Sequence, residues 1–251
     1  MSHITLPPCL HDLETLARGP GLVLARCGYR PDAFAGDAFA HAGIPLPAGL
    51  EKAVAKRRTE YLAGRVCARA ALGQATGLEA VPAIGEDRAP CWPDGAVGAI
   101  THSRGQAAAL VGRQTDWQGL GLDAEHWLAP DRARRLAGQL LTPAEREALG
   151  ALDDIAFARR LTRVFSIKES LFKALYPITG VRFYFQDAEM VAEDRIALRR
   201  DLSDQWRRGA TVEALWRDEE QGVLSWIAVP RGRKSLGGAT EVAPTAAGFF
   251  P

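Results

Sequence analysis

The chain has 251 residues, with 31 Lys and Arg against 30 Asp and Glu, a formal net charge of +1, 47% apolar and 24% charged residues. That composition excludes fibrous and wholly disordered classes, and the length favours one large domain or two of roughly 100–125 residues. The near-zero balance excludes a global attraction to nucleic acid or to an anionic membrane, so any phosphate binding has to come from local clusters. No apolar run approaches the roughly 20 residues needed to cross a bilayer. The start, MSHITLPPCLHDLETL, lacks the basic and apolar regions of a secretory signal. Cys9, Cys27, Cys67 and Cys91 are widely spaced without a CxxC, which argues against a zinc site or a redox pair and for reduced thiols in a cytoplasmic chain.

In chain order, GLVLARC (21–27) predicts a strand, and 31–49 a loop rich in Pro, Gly and Ala. From Leu50 to about Gly73 good helix formers without Pro predict a helix, basic over 52–73, with Gly73 and Gly77 as stop signals. The Pro- and Gly-containing stretch 80–95 reads as irregular. VGAITHS (97–103) and QAAALVG (106–112) flank Arg104-Gly105 and predict a hairpin. A strand follows over 119–125. Asp131–Leu141 reads as a helix, and Thr142-Pro143-Ala144-Glu145 as a capping box opening another. A long helix is expected from Asp154 to Leu175, ended by Pro177 and Gly180. Strands are expected over 181–192, 211–217 and 222–229. Mixed strands and helices without strict βαβ alternation predict an α+β fold.

Three segments carry chemistry. In Gly119-Leu120-Gly121-Leu122-Asp123-Ala124-Glu125, alternation puts Leu120, Leu122 and Ala124 on an inward face. Gly119, Gly121, Asp123 and Glu125 share the other, with the carboxylates about 7 Å apart. Glycines within a strand mark the close approach of a ligand or another backbone. Two acids on one face suit a hard cation such as Mg²⁺, and a solvated strand face is the alternative. In the long helix, Leu161, Val164, Phe165, Phe172 and Leu175 form an apolar stripe with Lys168 in its middle, Glu169 beside it and Lys173 one turn on. A lysine there is either paired with something buried, as at a phosphate–metal site, or snorkels. In KRRTEYLAGRVCAR (56–69), Arg58, Arg65 and Arg69 lie on or beside a face formed by Val54, Tyr61, Ala68 and Leu72. Planar guanidinium forks suit phosphate, a solvated basic helix is the alternative, and nothing marks a nucleic-acid motif.

Together, RRTEYLAGRVCAR (57–69), ITHS (100–103), GLDAE (121–125), TPAE (142–145) and FSIKESLFKAL (165–175) resemble the Sfp-type 4′-phosphopantetheinyl transferases, most closely the branch that includes the enterobactin synthase component D. The likeness runs over about residues 55–176. It rests most on a G-x-D-x-E strand followed by a K-E-x-x-x-K helix. Ala124, Phe165, Ser170 and Thr101 depart from the residues most usual there, and none of the departures removes a charge.

The resemblance implies transfer of the phosphopantetheine arm of coenzyme A (CoA) onto a serine of an apo acyl, aryl or peptidyl carrier protein, with Mg²⁺ as cofactor. It implies siderophore or other nonribosomal peptide or polyketide assembly as the setting. The implied fold is two similar α+β halves related by a pseudo-twofold axis with CoA between them: 1–118 on the nucleotide side, 119–230 with the metal strand and lysine helix, and 231–251 a flexible tail. Residue by residue, Asp123, Glu125 and Glu169 match metal-binding carboxylates, and Lys168 and Lys173 match lysines near the pyrophosphate. Thr101 and His102 match the segment on the CoA 3′-phosphate, Arg58 and Arg65 match a grip on the nucleotide phosphates, and Glu145 matches a general base. Catalytic work is thus expected of Glu145, Lys168, Glu169 and Lys173. A monomer without nucleic-acid or membrane partners is expected. A CoA- or carrier-binding module without turnover, and another Mg²⁺-dependent phosphate-transfer enzyme, are the competing functions.

Overall fold

LHDLETLA and LVLARCGY pair antiparallel as β1 (Leu10–Ala17) and β2 (Leu22–Tyr29). The second run is apolar on both faces, as a strand covered from both sides must be. The first was not foreseen, because polar residues on its outer face and a bulge between His11 and Glu14 hide its alternation. The computed structural model describes residues 5–232 except 20, 86 and 88, so all of the expected tail but Arg231 and Gly232 lies outside the described residues. The chain divides into two compact units, Met1–Trp117 and Gln118–Pro251.

In the first unit the 31–49 loop holds a short helix, α1 (Ala38–Ala42). The basic helix is α2 (Ala55–Thr76). It starts later than expected and passes through Gly73, whose replacement by any side chain would meet little, to be capped at Gly77. The 80–95 stretch contains a two-residue pair, β3 (Ala83–Ile84) with β4 (Pro90–Cys91). The hairpin forms as expected from β5 (Ala96–Ser103) and β6 (Gln106–Arg113), with both turn residues, Arg104 and Gly105, at positive φ. The sheet order is β1-β2-β6-β5. The Ala- and Leu-rich face of α2 (Leu62, Ala63, Val66, Ala71, Leu72) packs on it with Val23, Ala25, Ala109 and Val111. Two thiols far apart in sequence, Cys27 and Cys67, meet in this core at 3.4 Å.

The second unit opens with β7 (Trp117–His126), followed by α3 (Pro130–Leu140), α4 (Pro143–Leu149) and α5 (Asp154–Thr179). The α4 capping box is complete, since the Thr142 hydroxyl accepts from Glu145 N–H while the Glu145 carboxylate accepts from Thr142 N–H. Pro177 does not stop α5. It sits in the last turn, where one lost backbone bond is tolerated, and the helix runs on to its cap at Gly180. Of the expected 181–192 strand only β8 (Ala188–Ala192) is extended. It pairs with an unforeseen β9 (Arg195–Leu198), which pairs in turn with β10 (Thr211–Glu213). The 211–217 strand is therefore two, because β11 (Leu215–Glu219) belongs to another sheet and forms a hairpin with β12 (Gly222–Pro230). That sheet has the order β11-β12-β7. Helix α5 packs on it so tightly that a Cβ at Gly121 would run into the Ser170 carbonyl, and one at Gly119 into that of Ala174. The bare positions of β7 thus accommodate another backbone. No helix among the described residues is long and apolar enough to cross a membrane.

Candidate active site

The packing of β7 on α5 brings the acidic strand and the lysine helix together. Asp123 is 4% exposed, so it lies in the packed layer and not on a solvated face. Its Oδ1 accepts from Lys173 Nζ at 2.6 Å and its Oδ2 from the Ser166 hydroxyl at 2.9 Å. Lys173 also donates to the Leu122 carbonyl at 3.0 Å. Its charge pairs with Asp123 across the interface, and from one turn away it partly offsets the burial that raises the Glu169 carboxyl. Glu125 is pushed up to about 7, first by burial, then by the Asp123 charge and that of Glu169, with Lys173 and Arg132 opposing. Burial and Asp123 also raise Glu169. Asp123, Glu125 and Glu169 are thus close enough to feel one another, and their negative charge exceeds what Lys173 supplies.

As they stand, no three His, Cys, Asp or Glu side chains among the described residues form a metal cage. Mg²⁺ needs none. It binds through one or two carboxylates and completes its octahedron with water and substrate phosphate oxygens. Crowded carboxylates whose protons bind more tightly than usual are the donor set that such a hard cation relieves.

Lys168, one residue before Glu169, points elsewhere. It is 2% exposed and donates to Glu145 Oε2 at 2.6 Å and to the Leu140 carbonyl at 2.9 Å. Burial pulls its ammonium below the ordinary lysine range while Glu145 opposes. The buried answer to its charge is therefore Glu145 of the capping box. Snorkelling is excluded by the burial. Glu145, expected as a general base, has both carboxylate oxygens engaged. Oε2 also accepts from Thr142 N–H at 2.8 Å and Oε1 accepts from Met190 N–H at 2.9 Å.

In the first unit, α2 and β5 carry the basic residues. Arg65 is 6% exposed, stacks 4.6 Å from the Tyr61 ring centroid and donates to the Ala83 carbonyl at 3.3 Å. Arg58 stacks 4.8 Å from the Phe34 ring centroid. The Nε atoms of both make no hydrogen bond among the described residues. Stacking fixes the guanidinium planes and leaves N–H edges for an anion. On β5, Thr101 is buried, and His102 Nε2 lies 3.4 Å from Nη1 of Arg57. Arg57 was not singled out from the sequence. Its place one turn from Tyr61 was the available signal.

Beside Glu169 in the second unit lies a cavity of ≈ 240 Å³ lined by Lys168, Glu169, Phe172, Arg182, Phe183 and Tyr184, among others. Phe172 stacks on Tyr176 and packs against Phe183. The residues after the helix cap had been expected as strand, so their role as a cavity wall was not legible. The serines around Asp123 were also missed. Ser225 is the lone hydroxyl in the apolar run GVLSWIAV, which is the signal that marks it.

Two family models match the chain: "4′-phosphopantetheinyl transferase N-terminal domain" over residues 46–112 and "4′-phosphopantetheinyl transferase superfamily" over residues 119–222. Over 152 residues the chain is 43% identical to 4′-phosphopantetheinyl transferase Svp of Streptomyces mobaraensis, covering 58% of this chain and 59% of that protein. It is 44% identical over 131 residues to enterobactin synthase component D of Escherichia coli K12, covering 52% and 61%. It is 37% identical over 155 residues to 4′-phosphopantetheinyl transferase PptT of Mycobacterium tuberculosis, covering 59% and 66%. The chain thus spans about three fifths of the length of the relatives it matches.

Proposed function

We propose that this chain, which belongs to the 4′-phosphopantetheinyl transferase superfamily, moves the phosphopantetheine arm of CoA onto a serine of an apo carrier protein and releases adenosine 3′,5′-bisphosphate. The single observation that supports this most is the interface of β7 and α5, where three carboxylates and Lys173 crowd together and Glu169 lines a cavity. In this reading Asp123, Glu125 and Glu169 hold Mg²⁺ with the CoA pyrophosphate. The bound cation supplies charge neutralisation at the phosphates.

The chain's own groups do the rest. Lys173 holds Asp123 in place and carries positive charge to the phosphate oxygens. Arg58, Arg65, Thr101 and His102 hold the nucleotide phosphates. The carrier serine attacks the β-phosphorus of CoA, a new P–O bond forms, and the bond to the bridging oxygen breaks as the bisphosphate leaves. The serine proton goes to the oxygen of Glu169 left free of the cation, on the cavity wall. Glu145 serves as the counter-charge that keeps Lys168 at the cavity wall. We place the chain in the cytoplasm as a monomer acting on acyl, aryl or peptidyl carriers. The name of the enterobactin synthase relatives favours siderophore or other nonribosomal peptide assembly.

Incubation with CoA, Mg²⁺ and a panel of apo carriers, followed by intact mass, tests this. The expected result is gain of one phosphopantetheine on at least one carrier, abolished by chelation. CoA pyrophosphate cleavage without carrier modification would favour the hydrolytic reading. Binding without either reaction would favour a module without turnover.

A further inference from the structure

Asp123 is held on its Oδ2 side by something other than a charge. Ser166 donates to it at 2.9 Å, Ser225 lies 2.8 Å from Ser166, and Ser170 lies 2.8 Å from Ser225 and 3.0 Å from the Ser225 carbonyl. All three serines are fully buried. A hydroxyl has one proton to give, and the carboxylate can only accept, so Ser166 spends its proton on Asp123. Ser225 must then donate to Ser166, and Ser170 is left with one proton for two acceptors, the Ser225 hydroxyl and the Ser225 carbonyl. The Asp123 charge therefore sets the direction of the Ser166 and Ser225 hydroxyls, and bonds so aligned strengthen one another in a dry interior.

We propose that Ser166, Ser225 and Ser170 form a positioning relay that fixes the orientation of the Asp123 carboxylate for the cation, with Ser166 and Ser225 as positioning residues of the transfer reaction. The proposal rests on the reading of Asp123 as a metal ligand. The relay ties all three elements of the site together, since Asp123 is on β7, Ser166 and Ser170 are one turn apart on α5, and Ser225 is on β12. Lys173 grips the other carboxylate oxygen, so the group is held from both sides before any ligand arrives. Small size alone would explain Ser170, whose carbonyl abuts Gly121. It does not explain the Ser166 and Ser225 hydroxyls ordered toward one carboxylate, because alanine would fill the same space without leaving buried polar atoms.

The test uses Ser166→Ala, Ser225→Ala and Ser170→Ala in the full chain, which keep the packing and delete only hydroxyls. Mn²⁺ binding with saturating CoA is followed by electron paramagnetic resonance, beside the Mg²⁺ concentration for half-maximal transfer. The expected result is roughly tenfold weaker Mn²⁺ binding for Ser166→Ala, which is about the value of one hydrogen bond to a charged group. A smaller loss of about threefold is expected for Ser225→Ala, which touches Asp123 only through Ser166. Ser170→Ala, at the far end of the row, should change least. The KM for CoA at saturating Mg²⁺ should stay within about twofold for all three. Should one variant fail to fold, the graded order of the other two carries the test. Variants with lowered melting temperatures but wild-type Mn²⁺ affinity and Mg²⁺ dependence would overturn the relay and leave a structural role only. Absence of cation binding in the wild-type protein would instead overturn the metal reading itself, so the two failures are distinguishable.

Discussion

Adjacent residues of α5 sit in opposite electrostatic situations. On one side Lys168 is buried and its charge is answered within the fold, by Glu145, the Leu140 carbonyl and the backbone donors that steady Glu145. On the other, Glu169 joins Asp123 and Glu125, where Lys173 and the charge of Arg132 oppose three carboxylates and Glu125 holds its proton up to about pH 7. The first arrangement is complete in the polypeptide. The second is built with charge left over, and under the proposed function that surplus is what a cation would balance. Buried ionic groups therefore do not all mark chemistry. The ones that do are those the fold leaves unbalanced.

The contrast can be broken from either side. Asp123→Asn keeps shape but removes the charge held by Lys173 and Ser166, and transfer should fall at least about a thousandfold, or some 4 kcal/mol of transition-state stabilisation. Steady-state assays at saturating Mg²⁺ check this. Near-wild-type turnover would remove Asp123 from the site. On the complete side, Glu145→Gln should destabilise the fold by about 3 kcal/mol by stranding a buried ammonium, and Lys168→Met by less, since backbone N–H groups still hold the carboxylate. The double variant should recover much of the loss, and denaturant unfolding of all four proteins reads the coupling.

In the first unit, Arg65→Ala should raise KM for CoA about tenfold while changing kcat little, because a phosphate grip is made in the ground state as well. His102→Ala should narrow the preference for CoA over dephospho-CoA, measured as a ratio of kcat/KM. An unchanged preference would take His102 off the 3′-phosphate. The smallest effect is on stability. The Glu125 proton is bound more tightly in the folded chain than in the unfolded one, so its contribution is full below about pH 4.5 and is lost as pH rises towards about 7. Melting temperatures of the metal-free protein should fall by a few degrees over that window, and Glu125→Gln should flatten the slope.

Much of this was readable in the sequence because local chemistry is short-ranged. The Arg104-Gly105 hairpin, the Thr142–Glu145 capping box and the D-x-E strand each follow from a few neighbouring residues. The glycines of β7 were rightly read as a place of close approach, but only the structure shows that the approaching group is the α5 backbone. That packing buries Asp123, which alternation alone had put on an open face. The pairing of Lys168 with Glu145 spans 23 residues, and no periodicity reports such a distance. The serine row escaped notice because hydroxyls are small, neutral and common, and their order exists only once three elements meet. Strand β9 and the end of α5 beyond Pro177 were decided by tertiary packing over local propensity.

The most direct measurement of the unbalanced carboxylate cluster is proton release on cation binding. Mg²⁺ is titrated into the protein with saturating CoA by calorimetry at pH 7, in buffers of different ionisation enthalpy. With the Glu125 carboxyl pushed up to about 7 in the ligand-free chain, the account predicts net proton release on cation binding at pH 7. The release should decline towards pH 8.5 and shrink in Glu125→Gln. Cation binding that releases no proton at any pH between 6 and 8.5 would contradict it.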